Sequence, residues 1–431
     1  MSSDLRSEQP ESDRNEQTTR SLRSHRLPAA VYVLSAVNAC IGIGYGIAAP
    51  VIPVLATSFD VSNTAATMVV SLYAATRVVL APVAAQLALR IPPGVLMSSA
   101  LVVTAVTSIC AGLADSFLGL LLWRGLGGGG TAVTTVAGQA MLYRVAPPAA
   151  IGRSSSLFHT GFLVGGILGP LIGGLLAGWH LEAPLVAYGV LLLVGAVIAA
   201  TRLRSPRTAT EVSGSAWRFV QHESMSIREA VADLRYRVVL VVNFAIAWIG
   251  NGLRFTVVPL YVAVVLDRGP IWTGSGLLMA GVVQFALVMP AGRIADRRGA
   301  RLPLLIGSAM AVVAVLLMMP VLGIAGFLAA MAVLGMSSAL TTPAASAMLG
   351  QVLTGRGGPP LAGHQMVFDV ATIFAPLACG VLSDQVGFAS AFGLSAVVGV
   401  CAFAAVLFTP QPDPRATSPE RTPSPVRPQP E

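Results

Sequence analysis

The chain of 431 residues is 55% hydrophobic and only 11% charged, with a mean hydropathy of +0.75, whereas soluble globular proteins carry about 25% charged residues. These values exclude an ordinary soluble protein and a nucleic-acid binder, and they predict an integral membrane protein. The net charge is +8, and all 27 basic residues are arginines, so the chain has neither a Walker phosphate loop nor a Schiff-base lysine.

The chain opens with a charged tail, residues 1–27, that contains no apolar run. The apolar stretch that begins after Pro28 exceeds signal-peptide length, so we expect a cytoplasmic tail rather than a cleaved leader. A bilayer core about 30 Å thick needs roughly 20 apolar residues per helix, and this criterion predicts twelve spans. They lie near 29–55, 64–89, 94–114, 117–141, 154–178, 183–201, 238–262, 271–292, 302–321, 324–349, 361–383 and 388–409.

A polar segment, residues 202–237, separates the first six spans from the last six and holds seven arginines. We interpret it as a cytoplasmic linker between an N-terminal bundle, 28–201, and a C-terminal bundle, 238–409. Ser226 and Glu229 have capping-box spacing, which predicts a short amphipathic helix within the linker. The last 22 residues, 410–431, include eight prolines and are expected to be a disordered cytoplasmic tail.

The arginines predict the orientation of the spans, because loops that face the cytoplasm retain positive charge. If both termini are cytoplasmic, 23 arginines lie on the cytoplasmic side and only Arg268 lies outside. The remaining three, Arg77, Arg124 and Arg254, fall within spans. The sequence therefore predicts a multi-pass protein of the cell membrane with both termini in the cytoplasm.

Glycines in span 5 form two ridges at helical spacing, interrupted by Pro170. The first ridge is Gly161, Gly165, Gly169 and Gly173, and the second is Gly166, Gly174 and Gly178. Such ridges let a neighbouring backbone approach closely, and the proline can kink the helix. From spacing alone, ordinary glycine packing explains the run as well as a special role does.

Residues 292–301 read Gly-Arg-Ile-Ala-Asp-Arg-Arg-Gly-Ala-Arg and form a predicted loop between spans 8 and 9. The segment resembles the G-x-x-x-D-R-x-G-x-R loop of the major facilitator superfamily, and the span 5 run resembles the G-x-x-x-G-P-x-x-G-G signature of its proton-coupled drug exporters. The resemblance implies these gating residues: Gly165, Gly169, Pro170, Gly173, Gly174, Gly292, Asp296, Arg297, Gly299 and Arg301. A positive-inside anchor would explain the arginines but not Asp296. If the resemblance holds, Asp296 docks near Ser154, Ser155 and Ser156 when the cytoplasmic side is closed.

The matching loop of the first half departs from this pattern. Ala85 and Pro92 stand where the glycines would be, and Leu89 stands where the aspartate would be. One gating loop is therefore degenerate and the other intact, which argues against a symmetric gating scheme.

Polar residues recur on one face of several spans. In span 4, Arg124 is followed by a glycine run that resembles the superfamily's third signature, and an arginine in the hydrocarbon region costs roughly 2.5 to 3.5 kcal/mol unless it faces a cavity or a partner. For each uncharged residue a local interhelical hydrogen bond is the alternative. The candidates for a substrate and proton pathway are Asn38, Tyr45, Tyr73, Arg77, Arg124, Thr131, Thr135, Asn243, Arg254 and Asp369.

The predicted membrane interior holds three arginines but one carboxylate, Asp369. Asp369 is the leading proton carrier by elimination, and a salt bridge to a neighbouring arginine is the alternative. Because an unpaired guanidinium attracts negative groups, we expect the cavity to prefer neutral, zwitterionic or anionic amphiphiles over lipophilic cations.

The resemblance implies an all-α fold of twelve transmembrane helices in two six-helix bundles around a midplane site. It also implies a monomer that exports small amphiphiles by alternating access, driven by the proton gradient without a cofactor. A proton-coupled or facilitative solute importer on the same fold is the alternative. A receptor is disfavoured because both tails are short, and an enzyme because no metal-ligand cluster or catalytic constellation is present in the sequence.

Overall fold

The computed structural model describes residues 27–146, 151–203, 225–353 and 359–409. All regular secondary structure in these ranges is helical, as the sequence predicted. Residues 1–26 and 410–431 and the middle of the predicted linker lie outside the described residues, so the expected disorder of the tails stays a prediction.

Each predicted span corresponds to a helix. The helices are Ala29–Ala48 with Ile52–Thr57 (span 1), Asn63–Arg90 (2), Pro93–Gly112 (3), Phe117–Val145 (4), Ile151–Ala177 (5), Ala183–Arg202 (6), Leu234–Val264 (7), Pro270–Arg298 (8), Arg301–Leu316 (9), Gly323–Leu353 (10), Pro359–Gln385 (11) and Phe388–Leu407 (12). Span 7 contains a π-helical stretch, Trp248–Val257, which the sequence did not predict.

Ten of these helices are long and apolar enough to cross a bilayer by themselves. Span 9 has only 16 residues, which is roughly 24 Å at the α-helical rise. Span 4 has 29 residues but contains Arg124 and a run of glycines, which lower its apolarity. The prediction of twelve spans thus rests on these ten helices together with spans 4 and 9. Spans 4 and 9 are needed for successive helices to run in alternating directions across the membrane.

Local signals set several helix starts. The Ser62 and Ser116 hydroxyls cap spans 2 and 4 by accepting from the backbone N–H groups of Ala65 and Gly119 at 3.3 and 3.2 Å. The predicted capping residue Ser226 accepts from Glu229 N at 3.2 Å and starts the helix Ile227–Ala232. Span 7 then begins at Leu234 rather than at the predicted 238, because Asp233 provides a second cap.

The chain forms two six-helix halves, each with its own buried apolar core. Because helices alternate in direction, the helix ends form two faces. We call the face at which span 1 begins and spans 2, 8 and 12 end the termini face. The opposite face is called the far face. Spans 2 and 5 of the first half pack against spans 11 and 8 of the second. Each of these four helices contains an internal proline: Pro82, Pro170, Pro290 and Pro376.

The contacts between the halves are concentrated toward the far face. A methyl group built on Gly174 of span 5 would lie 2.7 Å from the Pro270 carbonyl oxygen at the start of span 8. At the same face, a methyl group built on Gly380 of span 11 would collide with the Thr67 hydroxyl of span 2. The halves are therefore closed against each other at the far face.

Candidate functional site

An ion pair joins the two halves near the middle of spans 2 and 11. Arg77 Nη2 of span 2 contacts Asp369 Oδ1 of span 11. Gln365, one turn before Asp369, donates to the same carboxylate oxygen at 3.3 Å. The alternative that the sequence left open for Asp369, a salt bridge to an arginine, is the arrangement observed.

Arg124 is buried between spans 2 and 4, with only 4% of its surface exposed. Its guanidinium lies 4.4 Å from the ring centroid of Tyr73, and Nε and Nη1 are buried without a hydrogen-bond partner. The Tyr73 hydroxyl is 2.6 Å from Thr131 Oγ1. A cation over an aromatic face is stabilised by the ring quadrupole, so the sequence candidates Tyr73, Arg124 and Thr131 form one cluster.

The glycine run after Arg124 serves packing. Side chains at Gly128 and Gly130 would collide with the Tyr73 carbonyl of span 2 and the Thr104 hydroxyl of span 3. Span 4 thus lies directly against two neighbours, which holds Arg124 over the Tyr73 ring. Thr135, a further candidate, hydrogen-bonds the Thr131 carbonyl of its own helix at 2.9 Å.

The two candidate asparagines occupy equivalent places in the two halves. Asn38 Nδ2 of span 1 donates to the Phe158 carbonyl of span 5 at 2.7 Å, and Asn243 Nδ2 of span 7 donates to the His364 carbonyl of span 11 at 2.8 Å. Both side chains are buried. Each amide joins two helices by a hydrogen bond, which is the alternative that the sequence left open for uncharged residues.

A cavity of about 210 Å³ lies between span 5 and five helices of the C-terminal half, spans 7, 8, 9, 10 and 12. Arg254 lines it from the π-helical stretch of span 7, and is only 7% exposed. Its guanidinium is 5.3 Å from the Phe255 ring centroid, and Nε is buried without a partner. Asn251 and Gln284 also line the cavity, and the sequence did not single out either of them for this role.

Three aromatic rings connect the halves beside this cavity. Tyr45 of span 1 stacks on Phe162 of span 5 with centroids 6.1 Å apart, and meets Phe255 of span 7 edge-on at 6.2 Å. Phe162 and Phe255 line the cavity. The candidate Tyr45 therefore lies at the junction between the halves, against the Phe255 ring that the Arg254 guanidinium also approaches.

Asp384 fastens the two halves at the far face. This carboxylate at the end of span 11 accepts hydrogen bonds from the N–H groups of Asn63 and Thr64 at 2.9 and 2.8 Å and from the Thr64 hydroxyl at 2.5 Å. Asn63 is the first residue of span 2, where orphan amides and the helix dipole favour a negative charge. The sequence did not single out Asp384 for this role.

The first glycine ridge of span 5 lies against span 1. A methyl group on Gly169 would be 2.6 Å from the Gly46 Cα, and Gly165 and Gly173 are equally close to the backbone of span 1. The glycines of the second ridge have different surroundings. Gly174 abuts span 8, whereas Gly166 has open space around it and lines the cavity.

The prediction that residues 292–301 form a loop is wrong. Span 8 stays helical through Arg298, and the turn consists of Gly299, with φ 82°, and Ala300 before span 9 begins. Gly292 and Arg297 lie in the last turns of span 8, and Arg301 Nη2 of span 9 donates to the Leu407 carbonyl at 2.7 Å. The Asp296 side chain lies outside the described residues, so its docking near Ser154 stays a prediction.

Comparison with known proteins gives a consistent family. The family model described as Major Facilitator Superfamily matches residues 34–321 and again 272–430. Multidrug resistance protein 1 of Bacillus subtilis (strain 168) is 27% identical over 173 residues, which cover 39% of this chain and 43% of that protein. The lysophospholipid transporter LplT of Yersinia pestis (strain Pestoides F) is 32% identical over 148 residues, or 34% of each chain. The chain thus aligns with less than half the length of these curated relatives.

Solved structures share the fold. The bacterial homologue of the human lysosomal transporter Spinster, in its inward-facing and occupied conformation, superposes with a TM-score of 0.61 at 16% identity, covering 88% of this chain and 95% of the other. The nucleoside transporter NupG gives a TM-score of 0.69 at 12% identity, with 88% and 98% covered. At these identities the likeness concerns the architecture alone.

Proposed function

The chain belongs to the Major Facilitator Superfamily, and from this premise we propose that it is a secondary active transporter that exports small amphiphilic molecules in exchange for protons. It is a multi-pass membrane protein assigned to transporters and not to enzymes. We also propose that it works as a monomer in the cell membrane, with both termini in the cytoplasm, because the arginine distribution favours that orientation.

The observation that carries the proposal is the ion pair between Arg77 and Asp369, on spans of opposite halves. Asp369 is 15% exposed and Arg77 is 31% exposed, so the pair is partly shielded and still accessible to protons. A proton on Asp369 neutralises the carboxylate and removes the attraction that joins spans 2 and 11. Protonation is thereby coupled to the contact between the halves.

In the proposed cycle, the inward-open state has the far face closed and a deprotonated Asp369 paired with Arg77. The proton enters Asp369 from outside when the far face is open and leaves to the cytoplasm after the halves have rocked. The Arg77 guanidinium then forms an ion pair with the Asp369 carboxylate. The cavity is open to a molecule from the cytoplasmic side. This order of events couples proton entry to export.

The energy that one proton supplies is modest but sufficient to accumulate cargo against a gradient. One proton that moves down a membrane potential of 100 mV releases about 2.3 kcal/mol, which sustains roughly fifty-fold accumulation of a neutral cargo. This force acts through Asp369 alone if the stoichiometry is one proton per cycle.

Proton release from everted membrane vesicles tests the proposal. Respiration acidifies the vesicle lumen, and addition of a transported amphiphile, with dodecyl phosphate and ethidium as anionic and cationic probes, should make protons leave the lumen, as reported by acridine orange fluorescence. Asp369→Asn should abolish this response, whereas Asp267→Asn, a matched change at the far face, should keep it. An Asp369→Asn variant that still couples probe to proton movement would overturn the proposal.

The importer alternative predicts a different result. For a facilitative importer, counterflow in proteoliposomes without a pH gradient would equal counterflow with one, and no probe-dependent proton movement would occur in either variant. A proton-coupled importer would instead move protons in the same direction as the probe. An exporter coupled to protons instead accumulates probe only when the gradient is present.

A further inference from the structure

The cavity of the C-terminal half extends away from the centre of the molecule. From Arg254 and Phe255 it follows span 7 back to Val242, a distance of roughly 18 Å at the helical rise. The cavity also reaches Ser308 of span 9 and Ala402 of span 12. We call this extension the side crevice.

One end of the cavity is charged and unpaired. The Arg254 guanidinium is more than nine-tenths buried, and among the described residues it makes no ion pair and its Nε has no hydrogen-bond partner. A buried charge without a partner is costly in a protein interior. No aspartate or glutamate belongs to the described lining, so the lining itself does not compensate the positive charge.

The rest of the lining behaves as an apolar surface although it contains hydroxyls. Ser337, Ser338 and Thr341 donate to the carbonyls of Gly307, Leu334 and Ser337 at 2.8, 3.0 and 2.9 Å. Hydroxyls satisfied by backbone carbonyls require no bond from a ligand. Val242, Ile249 and Ala402 contribute aliphatic surface to the same wall. The side crevice thus offers a chain of methylene groups a largely apolar surface in which these three hydroxyls are already satisfied.

We propose that this cavity binds a single-chain anionic amphiphile, with its phosphate or carboxylate head on Arg254 and its alkyl chain in the side crevice between spans 7, 9, 10 and 12. Asn251 and Gln284 supply amide groups beside the head. The inference rests on the proposed transport function for its cargo class and adds the head chemistry and the place of the chain.

Equilibrium binding to the full chain in nanodiscs of phosphatidylcholine tests the site without any proton gradient, so its failure is separate from failure of transport. Isothermal titration, corrected with empty nanodiscs, compares dodecyl phosphate, dodecanoate, dodecyltrimethylammonium and butyl phosphate. Arg254→Gln should weaken dodecyl phosphate binding about 10- to 100-fold, the worth of charge-assisted hydrogen bonds. The matched control Arg268→Gln, in the far-face loop, should leave the affinity unchanged.

The place of the chain is tested by filling the crevice. Ala402→Leu should weaken dodecyl phosphate more than butyl phosphate, because only the longer chain reaches span 12. Arg254→Lys keeps a positive charge and should retain most of the binding, so the assignment remains testable if Arg254→Gln fails to fold. Equal affinity for the dodecyl cation and the dodecyl anions, or equal loss for both phosphates in Ala402→Leu, would overturn the inference. Stronger binding of the phosphate than of the carboxylate would identify the head.

Discussion

The hydrogen bonds of Asp384 to the start of span 2 should set how often the far face opens. Asp384→Ala removes a carboxylate that accepts two backbone amides and one hydroxyl at 2.9, 2.8 and 2.5 Å. Hydrogen bonds to charged groups and helix N-caps contribute about 1 to 3 kcal/mol in total when buried. Since Asp384 is exposed, solvent screening reduces this to about 1 to 2 kcal/mol, a factor of roughly 5 to 30 in the equilibrium between closed and open far faces.

Electron–electron distance measurements can follow that equilibrium. Spin labels at Ser58 and Val386, both exposed on the far face in opposite halves, are placed in a background without the four native cysteines. The wild-type far face is expected to be mostly closed. Asp384→Ala should then raise the population with a long distance between the two labels 5- to 30-fold. Asp267→Asn removes a far-face carboxylate that has no hydrogen bond among the described residues and should not change the distribution. An unchanged distribution in Asp384→Ala, or an equal change in the control, would refute the reasoning.

Three further variants probe the packing and the ion pair. Gly169→Ala should lower the melting temperature of the purified protein well below that of Gly166→Ala, because only the first methyl meets the backbone of span 1; equal melting temperatures would contradict this. Asn243→Ala should cost about 0.6 kcal/mol, the average for interhelical hydrogen bonds in membranes, seen as a small fall in melting temperature. Arg77→Gln leaves Asp369 without its partner, so the double variant Arg77→Gln, Asp369→Asn should be more stable than Arg77→Gln alone; a double variant that is less stable would show that the pair is not the source of the loss.

The spans could be predicted from the sequence, because apolar length is a local property; the orientation that the arginines favour stays a prediction. The span 5 ridge was also visible as spacing, although its partner in span 1 was not. Helix boundaries were less predictable where prolines and caps act. Span 1 breaks before Ile52, and span 8 continues through the predicted loop to Arg298, because one glycine with positive φ suffices for that turn.

The site was predicted in part. Arg77, Arg124, Arg254 and Asp369 stand out because a charge in hydrocarbon is expensive wherever it lies. Which arginine pairs with Asp369 depends on the packing of spans 2 and 11, with 292 positions between the partners, and composition does not encode it. Asp384 was missed for the same reason. Its partner amides belong to a helix start 321 positions away, and only the Ser-Asn-Thr start of span 2 hinted at a site for an anion.

The four prolines in the helices that join the halves bear on how the two faces close. Proline removes one backbone hydrogen bond and bends a helix, and here each of spans 2, 5, 8 and 11 has such a joint between its two ends. One end of a helix can then swing while the other remains held, as span 2 is held by Asp384. We therefore expect an occluded intermediate in which both ends are shut around the cargo, reached by flexing these four helices in addition to the rocking of the two halves.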